Sequence, residues 1–283
     1  MGMGMATNIA RAGLPLIAWN RTREKAEPLT EHGARVVAMP AEAGAGADVI
    51  VTMLTDGDAV LGAMQGQDGA LSQAGEGLVW VQMSTIGEQA TQRCMKVAQE
   101  AGVGFVDAPV LGTKQPAAEG KLVVMASGPL QLRERVQPIF DAVAQRTMWV
   151  SDQAGTSTRL KLVTNAWIVA VVEGAAETIA LAEGLDLDPA LFLAAIESGP
   201  LDSPYVRMKG QAMIDRDFTP TFALKLATKD AMLAAESARE HDLDLPVLRA
   251  ISERMQQAVP EHGDEDLSAT FLTSAPSASR ARR

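Results

Sequence analysis

The stretch MGMGMATNIARAG (1–13), running on into LPLIAWNRT (14–22), decides the fold. Its first half carries small and apolar residues at helical spacing and stops at Gly13, as helices commonly do. Its second half holds PLIAW (15–19), a short apolar run that reads as a buried strand. The alternation continues outward. Apolar runs recur as ARVV (34–37), DVIVTML (48–54), LVWVQMS (78–84), GFVDAPV (104–110), KLVVMAS (121–127) and RTMWV (146–150). Between most of them lie segments of helical spacing that end at Gly, such as REKAEPLTEHG (23–33) and EQATQRCMKVAQEAG (88–102). Strand and helix in turn predict an α/β fold: a doubly wound, mostly parallel sheet with helices on both faces. The runs 121–127 and 146–150 can differ from the rest in direction.

After residue 150 the strand signals cease. Residues 156–184 read as one long helix whose centre, AWIVAVV (166–172), is apolar nearly all round and is expected to be buried. Asp188-Pro189 opens another helix, and 223–241 and 246–257 are helical in pattern. The expected organisation is a Rossmann-like domain over 1–152, an all-α domain over 153–272 joined to it by the long helix, and a disordered tail over 273–283.

Composition narrows the function classes. A formal net charge of −10 makes the chain a poor general binder of nucleic acid or of an anionic membrane surface. No uninterrupted apolar run approaches the roughly 20 residues of a membrane span. Cys94 is the only cysteine, so no intrachain disulfide forms, which fits the cytoplasm. His32, His241 and His262 are scattered without metal-ligand spacing, and no metal is expected.

In a dinucleotide-binding sheet, a strand and a G-x-G-x-x-G turn precede the helix that feeds the second strand. Here that helix and second strand are present, and Gly2 fits the third glycine of the fingerprint. The strand and the first two glycines are not in the sequence. The chain is therefore expected to be short at its amino end, to leave a gap or unpaired edges between PLIAW and DVIVTML, and to hold its cofactor weakly. The second strand ends at Asn20, Arg21 and Thr22, where an acidic residue would bind the ribose 2′-hydroxyl of NAD. Arg21 suits a 2′-phosphate instead, which points to NADPH. Thr22 as a helix cap with a solvated Arg21 is the competing reading.

The motifs in order resemble the β-hydroxyacid dehydrogenases, the family of 3-hydroxyisobutyrate dehydrogenase and glyoxylate/succinic semialdehyde reductase. They are M-G-x-x-M-A at Met1–Ala6, M-L-T-D at Met53–Asp56, S-T-I at Ser84–Ile86 and D-A-P-V at Asp107–Val110. G-x-x-x-x-x-K-x-x-x-N at Gly155–Asn165 and K-D at Lys229-Asp230 complete the set. By this resemblance Gly2, Met3, Met53, Leu54 and Thr55 line the cofactor, Thr85 approaches the nicotinamide and Lys229 reaches the cofactor from the helical domain. Helix capping by Thr55, Asp56 or Thr85, and a surface role for Lys229, are the plain alternatives.

The resemblance also implies a substrate loop at Leu111, Gly112 and Thr113 that holds a carboxylate. Leu111 stands where the family has serine, so backbone N–H groups of Gly112 and Thr113 must do that work. Lys161 is implied as the general acid and Asn165 as the group that orients the substrate. The two are four residues apart on the long helix and share a face. An exposed lysine near a helix start is the ordinary reading of Lys161 taken alone. The implied activity is NADPH-dependent reduction of a small aldehyde acid, by a homodimer or homotetramer. The alternatives are a non-catalytic NADP-binding or scaffold protein on the same fold, and an imine reductase, a group that usually replaces the catalytic lysine.

Overall fold

A computed structural model describes residues 1–275, which form two compact units, one over Met1–Lys161 and one from Leu162 onward. The first unit runs α1 (Gly2–Arg11), β1 (Ile17–Ala18), β2 (Arg35–Val36), α2 (Pro40–Gly44), β3 (Val49–Thr52), α3 (Gly57–Met64) and β4 (Val79–Gln82). It continues with α4 (Gly87–Glu100), β5 (Gly104–Asp107), β6 (Val110–Leu111), α5 (Lys114–Ala118), β7 (Leu122–Ser127), α6 (Arg133–Val143) and β8 (Ala144–Ser151). Helix α7 (Thr156–Gly184) then passes into the second unit, which adds α8 (Ala190–Ile196), α9 (Pro204–Asp215), α10 (Leu224–Glu240), α11 (Pro246–His262) and α12 (Phe271–Ser274). The α/β unit followed by a helical unit is the architecture expected from the sequence.

Three details differ. REKAEPLTEHG forms two 3-10 segments, Arg23–Lys25 and Glu27–His32, because Pro28 interrupts any α-helical ladder there. Residues 273–275, expected to be disordered, are ordered: Thr273 donates to the Thr270 carbonyl at 2.8 Å and Ala275 is buried, while the rest of the expected tail lies outside the described residues. Helix α7 is not buried all round, since Trp167 is 71% exposed and Val163 66%. By length and composition α7 could also cross a bilayer, contrary to the sequence reading, but its buried positions include Asn165 and Glu173 within a helical core.

The sheet is split. Strands β3, β4 and β5 are parallel neighbours in register, and β7 runs antiparallel to β5 and β6 and parallel to β8. Strands β1 and β2 form a separate parallel pair only two residues deep. Between β1 and β3 lies a cavity of about 700 Å³, lined by Ile9, Leu16, Ala18, Val49, Val51 and Ile139 among others. The two strands do not close on one another, so the gap expected from the sequence is present. The β1–β2 pair is held by the small cluster of Ala26, Leu29, Ala34 and Val36, rather than by the main core.

The core of the larger sheet holds Trp80 edge-on to Phe105 at 5.1 Å, with Leu78, Phe140 and Met125 fully buried. In the second unit, α7, α10 and α11 pack around Ile179, Met213, Leu224 and Met255. A buried ion pair ties α9 to the loop before α12, Lys209 Nζ to Asp266 Oδ1 at 2.6 Å. Thr221 and Ser268 supply further donors to Asp266. Burial alone would raise the Asp266 pKa, but these donors outweigh it and hold the carboxylate at about 2.

A two-residue ladder with one unpaired edge opens more easily than a central strand. The Arg35 and Val37 amides, bonded to Leu16 and Ala18, are expected to exchange with solvent much faster than those of Met83 and Ala108. Equal protection of the two groups by NMR-detected hydrogen exchange would show that the small pair is as firmly built as the main sheet.

Candidate active site

The carboxyl edge of the main sheet carries a row of buried polar residues. Thr52, Gln82, Asp107 and Ser127 are register partners on β3, β4, β5 and β7, and all four are buried. Each sits where an apolar run gives way to a loop, and each holds the segment that follows or faces it.

Gln82 Oε1 accepts from the Ser84 backbone N–H at 2.8 Å and from the Thr52 hydroxyl at 3.3 Å, while its amide donates to the Ser84 carbonyl. Trp80 Nε1 donates to Thr52 Oγ1 at 3.0 Å. The Ser84 hydroxyl accepts from the Leu54 N–H at 2.8 Å. This network joins the loop Met53–Thr55 to the loop that carries Thr85. Thr55 donates to Asp56, whose carboxylate caps α3 through the Ala59 N–H, so the capping role falls to Asp56. Met53 lies against the start of α1: a Cβ on Gly2 would stand 3.6 Å from the Met53 carbonyl.

Helix α1 is also locked to α5. A Cβ on Gly4 would fall 2.8 Å from the Ala118 nitrogen, so only glycine permits the approach. Asn8 donates to the Ala117 and Ala118 carbonyls. Leu111 pairs with Val123 in the sheet. Gly112 takes φ +128°, and a Cβ there would meet Leu122 at 2.6 Å, so the turn into Thr113 and α5 requires glycine on both counts.

At the end of β1, Asn20 donates to the Thr22 carbonyl at 2.7 Å and Arg21 is exposed. Thr22 precedes the first 3-10 segment but its side chain makes no cap bond. Asn20, Met3 and Gly2 share the wall of the cavity between β1 and β3 with Met53 and Leu54. Five of the expected cofactor residues are thus brought to one place. Thr55, Arg21, Thr22 and Thr85 lie outside that lining.

The first turn of α7 belongs by packing to the sheet. Thr158 donates its N–H to Asp107 Oδ2 at 2.7 Å and its hydroxyl to Oδ1 at 2.8 Å, and Ser157 N–H donates to Ser127 Oγ at 3.0 Å. Lys161, buried, follows one turn later. In the second unit, Asn165 donates to Asp230 Oδ2 at 2.7 Å, and Lys229 Nζ is 2.7 Å from Asp230 Oδ1. Asp230 therefore gathers the two site residues expected on that side. The Asn165 Oδ1 is buried and has no hydrogen-bond partner among the described residues, which leaves an acceptor for a ligand. Ser84, Asp107 and Asp230 entered the sequence reading only as members of motifs, with no role of their own, and Gln82 did not enter it. A polar residue ending each apolar run, V-I-V-T, V-W-V-Q and G-F-V-D, was the signal for Gln82 and Asp107.

These residues fit a dinucleotide. The start of α1 has no acidic side chain in its first turn, which suits an anion, and the loops after three parallel strands are where open sheets bind ligands. Residues 1–151 match the model of the NAD-binding domain of 6-phosphogluconate dehydrogenase, and residues 155–272 that of the NAD-binding domain of NADP-dependent 3-hydroxyisobutyrate dehydrogenase. The chain belongs to the β-hydroxyacid dehydrogenase family. It is 32% identical to glyoxylate/succinic semialdehyde reductase 1 of Arabidopsis thaliana, over 96% of this chain and 94% of that one. A 3-hydroxyisobutyrate dehydrogenase from Salmonella typhimurium superposes with TM-score 0.86 at 26% identity, covering 96% of this chain and 95% of the other. The cytokine-like nuclear factor N-PAC of Danio rerio is 28% identical over 96% of this chain, which spans 59% of that longer protein. As a member of this family the chain is an NAD(P)-dependent hydroxyacid oxidoreductase, and NADP(H) is its cofactor.

Gln82→Leu would strand the Ser84 N–H and carbonyl and the Thr52 hydroxyl in the interior. Each such group costs about 1–3 kcal/mol. The variant is expected to lose at least about 2 kcal/mol of stability by denaturant titration. A loss within experimental error would mean that the row is not a structural requirement.

Proposed function

We propose that this protein reduces a small aldehyde acid, of the glyoxylate or succinic semialdehyde type, to its hydroxyacid with NADPH, and runs the reverse oxidation. Bound NADPH supplies the hydride. Lys161 holds a proton at Nζ and gives it to the carbonyl oxygen as negative charge grows there, the role of a general acid. Asn165, fixed through its amide by Asp230, turns its Oδ1 to a donor on the substrate. Backbone N–H groups at Gly112 and Thr113 take the carboxylate, since Leu111 offers no hydroxyl. Arg21 takes the 2′-phosphate and sets the preference for NADPH over NADH. Lys229 contacts the cofactor. The observation that carries the reading is the buried Asn165 acceptor, without a hydrogen-bond partner among the described residues, one helical turn beyond Lys161.

A non-catalytic reading has the N-PAC likeness and the split sheet in its favour. It is separated from the enzyme by turnover with NADPH and an aldehyde acid. Self-association is also proposed. Val163, Trp167, Gly174 and Leu181 are exposed and lie within about 40° on one face of α7. A second copy of the chain would cover this apolar stripe.

Lys161→Ala is expected to lower kcat by about 10²–10⁴-fold while NADPH affinity holds. A near-normal kcat would remove Lys161 from the chemistry. Wild-type kcat/KM is expected to favour NADPH, and Arg21→Ala to narrow that preference; a wild-type preference for NADH would refute the role of Arg21. Light scattering should find a dimer or larger, broken by Trp167→Arg, and a wild-type monomer at micromolar concentration would contradict the interface.

A further inference from the structure

Among the buried groups the proposed chemistry does not use, Asp107 has the most consequential contacts. It ends β5, it is fully buried, and both its oxygens are engaged by one residue, Thr158, through the backbone N–H and the hydroxyl. Thr158 Oγ1 also lies 3.2 Å from Thr91 Oγ1 on α4. The adjoining Ser157 N–H is held by Ser127. The opening turn of α7, which otherwise has N–H groups without helical partners, is therefore clamped to β5 and β7 by side chains. Lys161 stands three residues after Thr158, on the next turn of the same rigid helix.

We infer that Asp107 is a positioning residue for Lys161: its carboxylate, by clamping Thr158, sets the first turn of α7 and with it the place from which the lysine gives its proton. The inference rests on the proposed role of Lys161. Catalytic groups displaced by about 1 Å can lose roughly 10²-fold in rate. A clamp made of two charge-assisted bonds to one residue is a device for preventing that displacement.

The clamp is tightest while Asp107 is ionised, because protonation replaces two charge-assisted bonds by weaker neutral ones and turns one acceptor oxygen into a donor. Burial pushes the Asp107 pKa up, the Thr158 and Gly155 bonds and the charge of Arg159 pull it back, and it settles at about 6. The other ionisable group that faces it is Cys94 of α4, whose thiol is pushed up to about 12, first by burial and then by Asp107. Arg159 is itself 4.0 Å from Glu88 of α4. The sign follows. Below about pH 6 the carboxylate takes a proton and the turn loosens. Above it the clamp is closed. Because the folded pKa lies above the unfolded value of 3.8, the ionised form is held at a cost, and this group's contribution to stability falls as pH rises from about 4 through 6.

The test uses the full chain with Asp107→Asn, Thr158→Val, Thr158→Ser and Lys161→Ala. Wild type should show an acid limb in kcat near pH 6. Asp107→Asn should lose roughly 10²-fold in kcat, little in KM, and the acid limb itself. Thr158→Val, which keeps the N–H bond, should lose less, and Thr158→Ser should retain activity. Independently of turnover, the carboxyl carbon of Asp107 should titrate near pH 6 by NMR. Amide protection factors over Thr158–Leu162, corrected for the intrinsic pH dependence of exchange, should fall below that pH in wild type, and be low at every pH in Asp107→Asn. If Lys161→Ala is fully active, the reading of Lys161 fails. If Lys161→Ala is inactive but Asp107→Asn keeps wild-type kcat, acid limb and amide exchange, the inference about Asp107 alone is overturned.

Discussion

The row Thr52, Gln82, Asp107 and Ser127 is the constraint on which the rest of the first unit depends. Buried polar groups must find partners or cost free energy. Placed at the carboxyl ends of apolar strands, they find those partners in the next segment of chain. Gln82 fixes the Ser84 backbone, Ser84 fixes Leu54, Asp107 fixes Thr158 and Ser127 fixes Ser157. A sheet of aliphatic residues would leave these loops to their own devices. Here the strand ends dictate where the loops stand, and the expected cofactor and substrate residues are on those loops. The side chains that are satisfied internally are supports. Asn165 keeps a buried acceptor without a hydrogen-bond partner among the described residues, as do Ser157 and Glu173, and it is the one that lies on the motif with Lys161.

The split between β1–β2 and the main sheet has a different physical character. The facing strands leave an apolar cavity instead of a shared ladder, and only a small aliphatic cluster secures the outer pair. Gly2, Met3, Asn20, Met53 and Leu54 all line that cavity. These are five of the residues expected from the sequence to line the cofactor. The helical unit rests on a separate foundation, the Lys209–Asp266 pair, which is buried with its remaining lone pairs met by Thr221 and Ser268. A buried pair satisfied in this way specifies geometry even where its net contribution to stability is small.

Much of this was legible in the sequence because periodicity is a strong signal in long elements. The helix at 156–184 is found over that very span, since nothing in it breaks a 3.6-residue pattern. Boundaries set by single residues were less legible. Pro28 turned an expected helix into two 3-10 segments. The apolar reading of AWIVAVV overlooked that a helix can be apolar all round and still expose one stripe, as at Trp167. The expectation for Lys161 and Asn165 comes from the motif that carries them. The contacts of Asp107 and Asp230 were not legible, because a carboxylate's partners lie far away in sequence: 51 residues for Asp107–Thr158 and 65 for Asn165–Asp230. Only the fold brings those pairs together.

The central claim is hydride transfer from NADPH to an aldehyde acid. It is tested most directly by incubating the protein with glyoxylate, or with succinic semialdehyde, and NADPH deuterated at the transferring C4 position, and analysing the product by mass spectrometry. The expected result is a hydroxyacid with a single deuterium on its carbinol carbon, and none when Lys161→Ala replaces the wild type. Recovery of unreduced aldehyde acid from the wild-type protein across a panel of such substrates, with NADPH bound and unconsumed, would contradict the account and favour the non-catalytic reading.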